Sequence, residues 1–330
     1  MMSGWVKENI IYNPFIARYK SAIIIFIKIV IAAGLLTYII KRVNLNEIIT
    51  AIKEANLIFI LAAFLLLALN IYIQYWKWKI VCKKILGVTA PKKIFLSLFY
   101  GFSAGSFTPG RIGEYFGRAM IFRDKSISEI TIATFIDKTI PLTIIAFTGA
   151  LASIVFIQYY YNVTIFITAS LFIFVFALSY IFLYLLLNPS IWKGAVVKKI
   201  KISRRLSSLV EKLSVIKKLD KNITYQVALI SFLFFACMLL QYVLLVSAFS
   251  QHFDFINYLW AGLLMFFAKS IIPPVSIGDL GIREGASVFF IKMIGENGSI
   301  GFNAAIFLFI INILVPAIIG MFLLFHKNDD

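Results

Sequence analysis

Long apolar stretches alternate with short polar intervals along the chain, and the lengths of both predict its architecture. Eight apolar stretches occur, several of them near the roughly 20 residues with which an α-helix crosses a bilayer core. The longest polar interval, 188 to 224, leaves no room for a separate soluble catalytic domain. We therefore predict an all-α, polytopic integral membrane protein. The apolar stretches are approximately 22 to 40, 57 to 76, 94 to 108, 130 to 157, 162 to 187, 225 to 250, 257 to 272 and 302 to 325.

Two of the eight stretches run into helix-breaking residues and do not continue as simple spans. Proline and glycine end a helix, and irregular backbone at membrane depth is tolerated only where protein or water surrounds it. We therefore predict two re-entrant helical hairpins, at about 94 to 121 and 257 to 294, and about six spanning helices. The expected breaks are Pro109, Gly110 and Gly113 in the first hairpin, and Pro273, Pro274, Gly278 and Gly281 in the second.

The composition supports this interpretation, and the distribution of charge orients the chain. Apolar residues make up 61% and charged residues 14%, against about 25% charged residues in soluble domains. The net charge of +17 arises mainly from loops: predicted intervals on one side of the membrane hold 22 Lys and Arg, and those on the other hold 4. By the positive-inside rule both termini are expected in the cytoplasm of a multi-pass protein of the cell (inner) membrane. Nucleic acid is therefore not the expected partner.

The residues that usually form metal or covalent sites are too few here. Two cysteines, Cys82 and Cys237, lie far apart among apolar neighbours, and two histidines, His252 and His326, cannot form a zinc site. Phosphate-loop and zinc-protease motifs are missing from the sequence. We therefore expect no metal, no cofactor and no catalytic residue of these classes.

An internal repeat links the two hairpins. Residues 109 to 118 and 274 to 283 share the pattern P-x-x-I-G-[E/D]-x-x-x-R at one offset of 165 residues. We expect repeat A in 1 to 160 and repeat B, with the basic cytoplasmic segment 188 to 224, in 161 to 330. The first hairpin would enter from the cytoplasm and the second from outside, which gives the inverted repeat that is typical of transporters. The alternative is a chance similarity between two Gly-Pro breaks.

Ionisable groups near the breaks are the candidate binding residues. A helix that begins after Gly113 or Gly278 presents unpaired N–H groups that favour anions, and guanidinium groups suit phosphate oxygens. Groups of this kind are costly in hydrocarbon and should face a cavity or each other. The alternative is that they form structural ion pairs that close the hairpins; the adjacent Asp137 and Lys138 should have different partners. The candidates are Arg111, Glu114, Arg118, Asp137, Lys138, Lys269, Asp279, Arg283 and Glu284, of which eight, without Arg118, balance four to four.

Two segments resemble signature segments of a known family. S-F-T-P-G-R-I-G-E-Y-F-G-R-A (106 to 119) and P-P-V-S-I-G-D-L-G-I-R-E-G-A (273 to 286) resemble those of the flippase-like family typified by the membrane region of lysylphosphatidylglycerol synthases. The resemblance implies a polytopic inner-membrane protein that moves lipids or lipid-linked head groups between leaflets. Many relatives have a second glycine in place of Asp279, and the soluble aminoacyl-transferase domain is absent from this sequence. The matching positions are Pro109, Gly110, Glu114, Arg118, Pro274, Gly278, Gly281, Arg283 and Glu284.

Three functions stay open at this point. The first is a lipid flippase or lipid transporter, with membrane lipids, mainly anionic ones, as partners and a homo-oligomer possible. The second is a membrane enzyme or accessory subunit that acts on a phosphate-containing lipid carrier, for which Glu114 or Asp279 would be the base. The third is a secondary transporter of a small soluble anion.

Overall fold

The computed structural model describes residues 45 to 106, 108, 110 to 187, 221 to 272 and 280 to 325. The regular structure within these ranges is helical, without strands. The predicted first span, 22 to 40, and nearly all of the basic segment 188 to 224 lie outside the described residues, as do Pro109, Pro273, Pro274, Gly278 and Asp279.

The described helices follow the predicted order. In the first half they are α1 (Leu45–Lys53), α2 (Leu57–Val81), α3 (Pro91–Ser106), α4 (Gly113–Ala119) and α5 (Ile127–Tyr161). In the second half they are α6 (Ile165–Leu187), α7 (Lys221–Ser250), α8 (Phe255–Ile271), α9 (Ile282–Met293), α10 (Gly298–Phe309) and α11 (Val315–Phe325). A π-helical turn, Cys82–Leu86, extends α2, and a second, Ile310–Leu314, joins α10 to α11.

Four helical segments in the described part of the chain are long and apolar enough to cross a membrane. They are Leu57–Leu86, Ile127–Tyr161, Asn222–Ser250 and Gly298–Leu324. Two shorter apolar segments, Ile165–Ile181 and Phe255–Ile271, accompany them. The prediction of an all-α polytopic membrane protein is therefore confirmed.

The helix bounds agree with the predicted breaks, with one shift. Helix α3 ends at Ser106 and α8 ends at Ile271, each shortly before the predicted prolines. The helix after the first break starts at Gly113 as expected, whereas α9 starts at Ile282 with Gly281 as its N-cap. The expectation that a helix begins just after Gly278 was therefore wrong. Gly281 has φ 89°, a conformation that glycine adopts without the steric cost of a Cβ atom.

The packing interleaves the two halves of the chain. Helices α2 and α7 form the most extensive helix–helix contact, and α3 pairs with α4 while α8 pairs with α9. Helix α3 also packs on α11 from the second half, and α8 packs on α5 from the first. Each pair of shorter helices thus packs on a membrane-spanning segment from the opposite half.

Glycines hold α3 and α4 at close distance. A Cβ atom on Gly113 would collide with the main-chain oxygen of Ala104, and one on Gly117 would collide with that of Tyr100. Two glycines four residues apart thus let these helices approach closely. The contact fixes α4 against α3 along its whole length.

Helix α2 extends further than the charge pattern suggested. The predicted apolar stretch ends at 76, but α2 continues to Val81 and its π-helical turn to Leu86. Lys77 therefore lies inside the helix and is only 4% exposed, and Cys82 is fully buried. The prediction was wrong here because a single lysine in a long apolar helix has the same local appearance as the first residue of a basic loop.

The charge distribution predicts the orientation, and thiol labelling can test it. Because Cys82 and Cys237 are buried, the probes must be introduced at exposed positions in a chain without the native cysteines. We expect Tyr161→Cys to react with an impermeant maleimide on intact cells, and Lys83→Cys to react only after permeabilisation, since the side with more Lys and Arg stays inside. The reverse result would overturn the orientation, and reaction of both cysteines from the same side would contradict the inverted arrangement of the hairpins.

Candidate functional site

Six ionisable side chains from α2, α4, α5 and the turn before α4 form one connected group, which we call the charged cluster. Five ion pairs join its members. Each of its acids pairs with more than one cation, so the cluster is a network and not a set of separate pairs. The charged cluster consists of Lys77, Arg111, Glu114, Arg118, Asp137 and Lys138.

Arg118 joins the two carboxylates of the cluster. Its Nη1 lies 2.9 Å from Oδ2 of Asp137, and its Nη2 lies 2.6 Å from Oε1 of Glu114. The guanidinium lies 4.0 Å from the ring centroid of Trp78, whose indole N–H donates to Oγ of Ser97 at 2.8 Å. Arg118 is 1% exposed. A buried guanidinium is tolerated when anions and an aromatic face replace its water.

Lys77 belongs to the cluster although the sequence analysis did not select it. Its ammonium group lies 3.2 Å from Oδ1 of Asp137 and donates to the main-chain oxygen of the same residue at 2.8 Å. One signal could have identified it: Asn70, Gln74 and Lys77 are polar at spacings of four and three in a largely apolar helix. Such positions share one helix face, and Gln74 indeed donates to Asn70 at 2.6 Å.

The partly exposed edge of the cluster is formed by two cations on one oxygen atom. Oε2 of Glu114 lies 2.7 Å from Nζ of Lys138 and 3.3 Å from Nη2 of Arg111. The Lys138 and Arg111 side chains are 35% and 27% exposed, whereas that of Glu114 is 0% exposed. Asp137 and Lys138 therefore have different partners, as their adjacent helical positions predicted.

The turn before α4 directs the side chain of Arg111 towards the first turn of α4. Gly110 and Arg111 both have left-handed backbone conformations, with φ of 62° and 56°. For a residue with a Cβ atom this conformation costs roughly 1 kcal/mol, and such strain is often found at functional positions. This backbone conformation places the guanidinium of Arg111 3.3 Å from the carboxylate of Glu114, three residues further on.

The N-terminal N–H groups of α4 are not available to a ligand. The N–H of Gly113 donates to Oγ1 of Thr108 at 2.7 Å, and those of Glu114 and Tyr115 donate to the carbonyl oxygens of Arg111 and Ile112. The expectation that this helix end binds an anion through free N–H groups was therefore wrong. The positive charge at this helix end comes from side chains such as Arg111.

Arg283 and Glu284 form a second, smaller group on α9. Nε and Nη2 of Arg283 donate to Oε1 of Glu284 at 3.1 and 2.8 Å, and Oε2 of Glu284 accepts the N–H of Gly281 at 2.6 Å. The Arg283 guanidinium lies 5.1 Å from the ring centroid of Phe309. Among the described residues no ion pair links this group, or Lys269, with the charged cluster.

The predicted balance of four cations and four acids therefore does not describe one site. The charged cluster has four cations and two acids, because Lys77 and Arg118 are members while Lys269, Arg283 and Glu284 are not. The cluster therefore carries a surplus of two positive charges. The described residues contain no group of three or more His, Cys, Asp or Glu side chains that could hold a metal ion.

Comparison with known proteins identifies the family. A family model described as the lysylphosphatidylglycerol synthase TM region matches residues 25 to 320. The chain belongs to this family. The match includes every residue of the charged cluster and both signature segments, so the resemblance inferred from those segments is confirmed. A search of curated proteins found no match.

Asp137 is the acid on which two buried cations depend, so its neutralisation should be costly. Asp137→Asn leaves Lys77 and Arg118 with too little negative charge, and we expect a loss of about 3 to 5 kcal/mol in the free energy of unfolding. Denaturation of the purified protein in detergent measures this loss. Asp124→Asn, which removes an acid 61% exposed beside Lys125, should change it by less than about 1 kcal/mol. Equal effects of the two variants would contradict a structural role for the buried network.

Proposed function

We propose that this protein is a lipid flippase or lipid transporter, which moves an anionic phospholipid or lipid-linked head group between the leaflets of the inner membrane. In this proposal the charged cluster binds the phosphate of the lipid. The observation that carries it is a buried ionic network with more cations than acids, whose surplus cations lie at a partly exposed edge.

The chemistry of the edge suits a phosphate group. Arg111 offers a planar guanidinium that can donate two parallel hydrogen bonds, and Lys138 offers an ammonium with three N–H donors. Both hold only one oxygen of Glu114, so further donors remain for a ligand. The family supports a lipid as the source of that phosphate, because its description names the membrane region of an enzyme that synthesises a phospholipid.

The arrangement of the helices supports transport. The offset of 165 residues between the two motifs carries α2 onto α7, the pair α3 and α4 onto α8 and α9, and α5 onto α10 and α11. Inverted repeats with interrupted helices that meet at a binding site are a common design of secondary transporters. In the proposed mechanism, each helix pair is re-entrant and changes its packing on the long helix of the opposite half.

The contacts of the two cluster acids favour binding over catalysis. A general base needs a carboxylate oxygen free to accept a proton from the substrate. Three cations pair with Glu114 and two with Asp137, so every carboxylate oxygen of these acids lies within 3.3 Å of a cation. The alternative of a membrane enzyme would therefore depend on Asp279, outside the described residues.

The transport proposal predicts a strong effect of a conservative substitution. Arg118→Lys keeps the positive charge but cannot contact Asp137 and Glu114 from two nitrogens at once, so we expect the rate of lipid movement to fall roughly ten-fold or more. Proteoliposomes with a head-group-labelled phosphatidylglycerol measure the movement between leaflets, and mass spectrometry of the lipids detects any chemical change. Arg283→Lys should also reduce the rate, because it loses the two bonds to Glu284.

Arg123→Lys is the matched control, since Arg123 is exposed and outside the charged cluster. Its rate should equal that of the wild type. Unchanged rates for both Arg118→Lys and Arg283→Lys, at normal expression and stability, would contradict the proposal. A new lipid species would favour the enzyme instead, and uptake of labelled inorganic phosphate without lipid movement would favour the small-anion transporter.

A further inference from the structure

The charged cluster divides into a neutral interior and a doubly positive edge. The interior contains two cations, Lys77 and Arg118, and two acids, Asp137 and Glu114, all at most 4% exposed. The edge adds Arg111 and Lys138, which both contact the same oxygen of Glu114. The formal charge of the whole cluster is therefore +2.

No other described acid compensates this surplus. The nearest acids along the chain are Asp124, whose carboxylate lies 3.9 Å from Lys125, and Glu129, whose carboxylate accepts the N–H of Ser126 at 3.3 Å. Neither forms an ion pair with the four cations of the cluster. Charges that remain unbalanced between apolar helices are unfavourable, and the energy of a site of this kind falls with each negative charge that a ligand supplies.

Unused donors point to where the compensating charge would lie. Nε of Arg111 and Nε of Arg118 are buried without a hydrogen-bond partner, and Arg118 as a whole is 1% exposed. A buried guanidinium N–H without an acceptor is costly. A ligand with several terminal oxygen atoms beside Arg111 and Lys138 would provide such acceptors together with negative charge.

We propose that the cluster selects a phosphate monoester, the head-group class with two negative charges and three terminal oxygens, over a phosphate diester with one charge and two such oxygens. The inference rests on the proposed function, in which the cluster binds the lipid phosphate. A phosphate monoester neutralises the surplus of two positive charges, whereas a phosphate diester leaves one cation unbalanced. The shared chemistry is a doubly ionised terminal phosphate, in a lipid or as the free ion.

Competitive binding tests this selectivity on the full chain in nanodiscs of zwitterionic lipid. The probes are phosphatidic acid and phosphatidylglycerol with identical acyl chains. We expect phosphatidic acid to bind about ten-fold more tightly at pH 8, because its second negative charge lies beside two cations. The monoester gains a proton as the pH falls through about 6, so the preference should shrink below that pH.

Two variants connect the preference with the edge of the cluster. Lys138→Gln reduces the surplus to one positive charge. The preference for phosphatidic acid should therefore fall to about two-fold, while phosphatidylglycerol still binds. Arg111→Gln should act in the same direction and lies in the turn, which provides a second variant if the first does not fold. Lys79→Gln, an exposed position on α2, removes the same charge outside the cluster and should keep the ten-fold preference.

The outcomes separate this inference from the proposed function. Equal binding of both lipids, weakened equally by Lys138→Gln, would overturn the selectivity and leave phosphate binding at the cluster intact. Binding that no cluster variant changes would overturn the proposed function itself. Inorganic phosphate that displaces phosphatidic acid at equal concentration would show that the site recognises the free ion and not a lipid head group.

Discussion

The burial of Arg118 is the constraint on which the arrangement of the first half depends. A guanidinium among apolar helices is stable only where acids meet it, and its two acids, Glu114 and Asp137, come from different helices. The pairing therefore fixes α4 against α5. Lys77 adds a third helix, α2, to the same network. Three helices of a membrane bundle, which gain little from hydrophobic association in lipid, are in this way held in one register by charge.

The glycines of α3 and α4 belong to the same constraint. A Cβ atom on Gly101 would approach Cγ of Arg118 at 2.9 Å and Cγ of Glu114 at 3.0 Å, so the missing side chain makes room for the ion pair. Gly117 brings the backbones of α3 and α4 close together beside Arg118, whose guanidinium lies on the ring of Trp78 from α2. Close helix packing and the buried network are therefore two aspects of one contact, and a larger residue at either glycine would disturb both.

Much of this fold could be predicted from the sequence, because hydrophobic length and helix-breaking residues are local signals. The long helices and the ends of α3 and α8 follow from them. The residues that form the site could not be predicted in the same way, since they depend on which helix faces meet. Lys77 was missed because it is the first residue of a basic interval, and Arg283 was grouped with Arg118 because their motifs match. The expectation of free N–H groups at the start of α4 was wrong, because Oγ1 of Thr108 and carbonyl oxygens of the preceding turn accept hydrogen bonds from them.

The two halves share a motif but differ in chemistry. The offset of 165 residues carries Lys77 to Tyr242, Asp137 to Phe302 and Lys138 to Asn303. These three counterparts are uncharged and buried, and Arg283 finds its acid in the adjacent Glu284 instead of on another helix. The surplus of positive charge therefore belongs to the first half among the described residues. Under the proposed function, an anion has one strongly favoured position in this part of the bundle. Movement between leaflets would then require a change in the access to that position, since no second site of equal charge exists there to receive the anion.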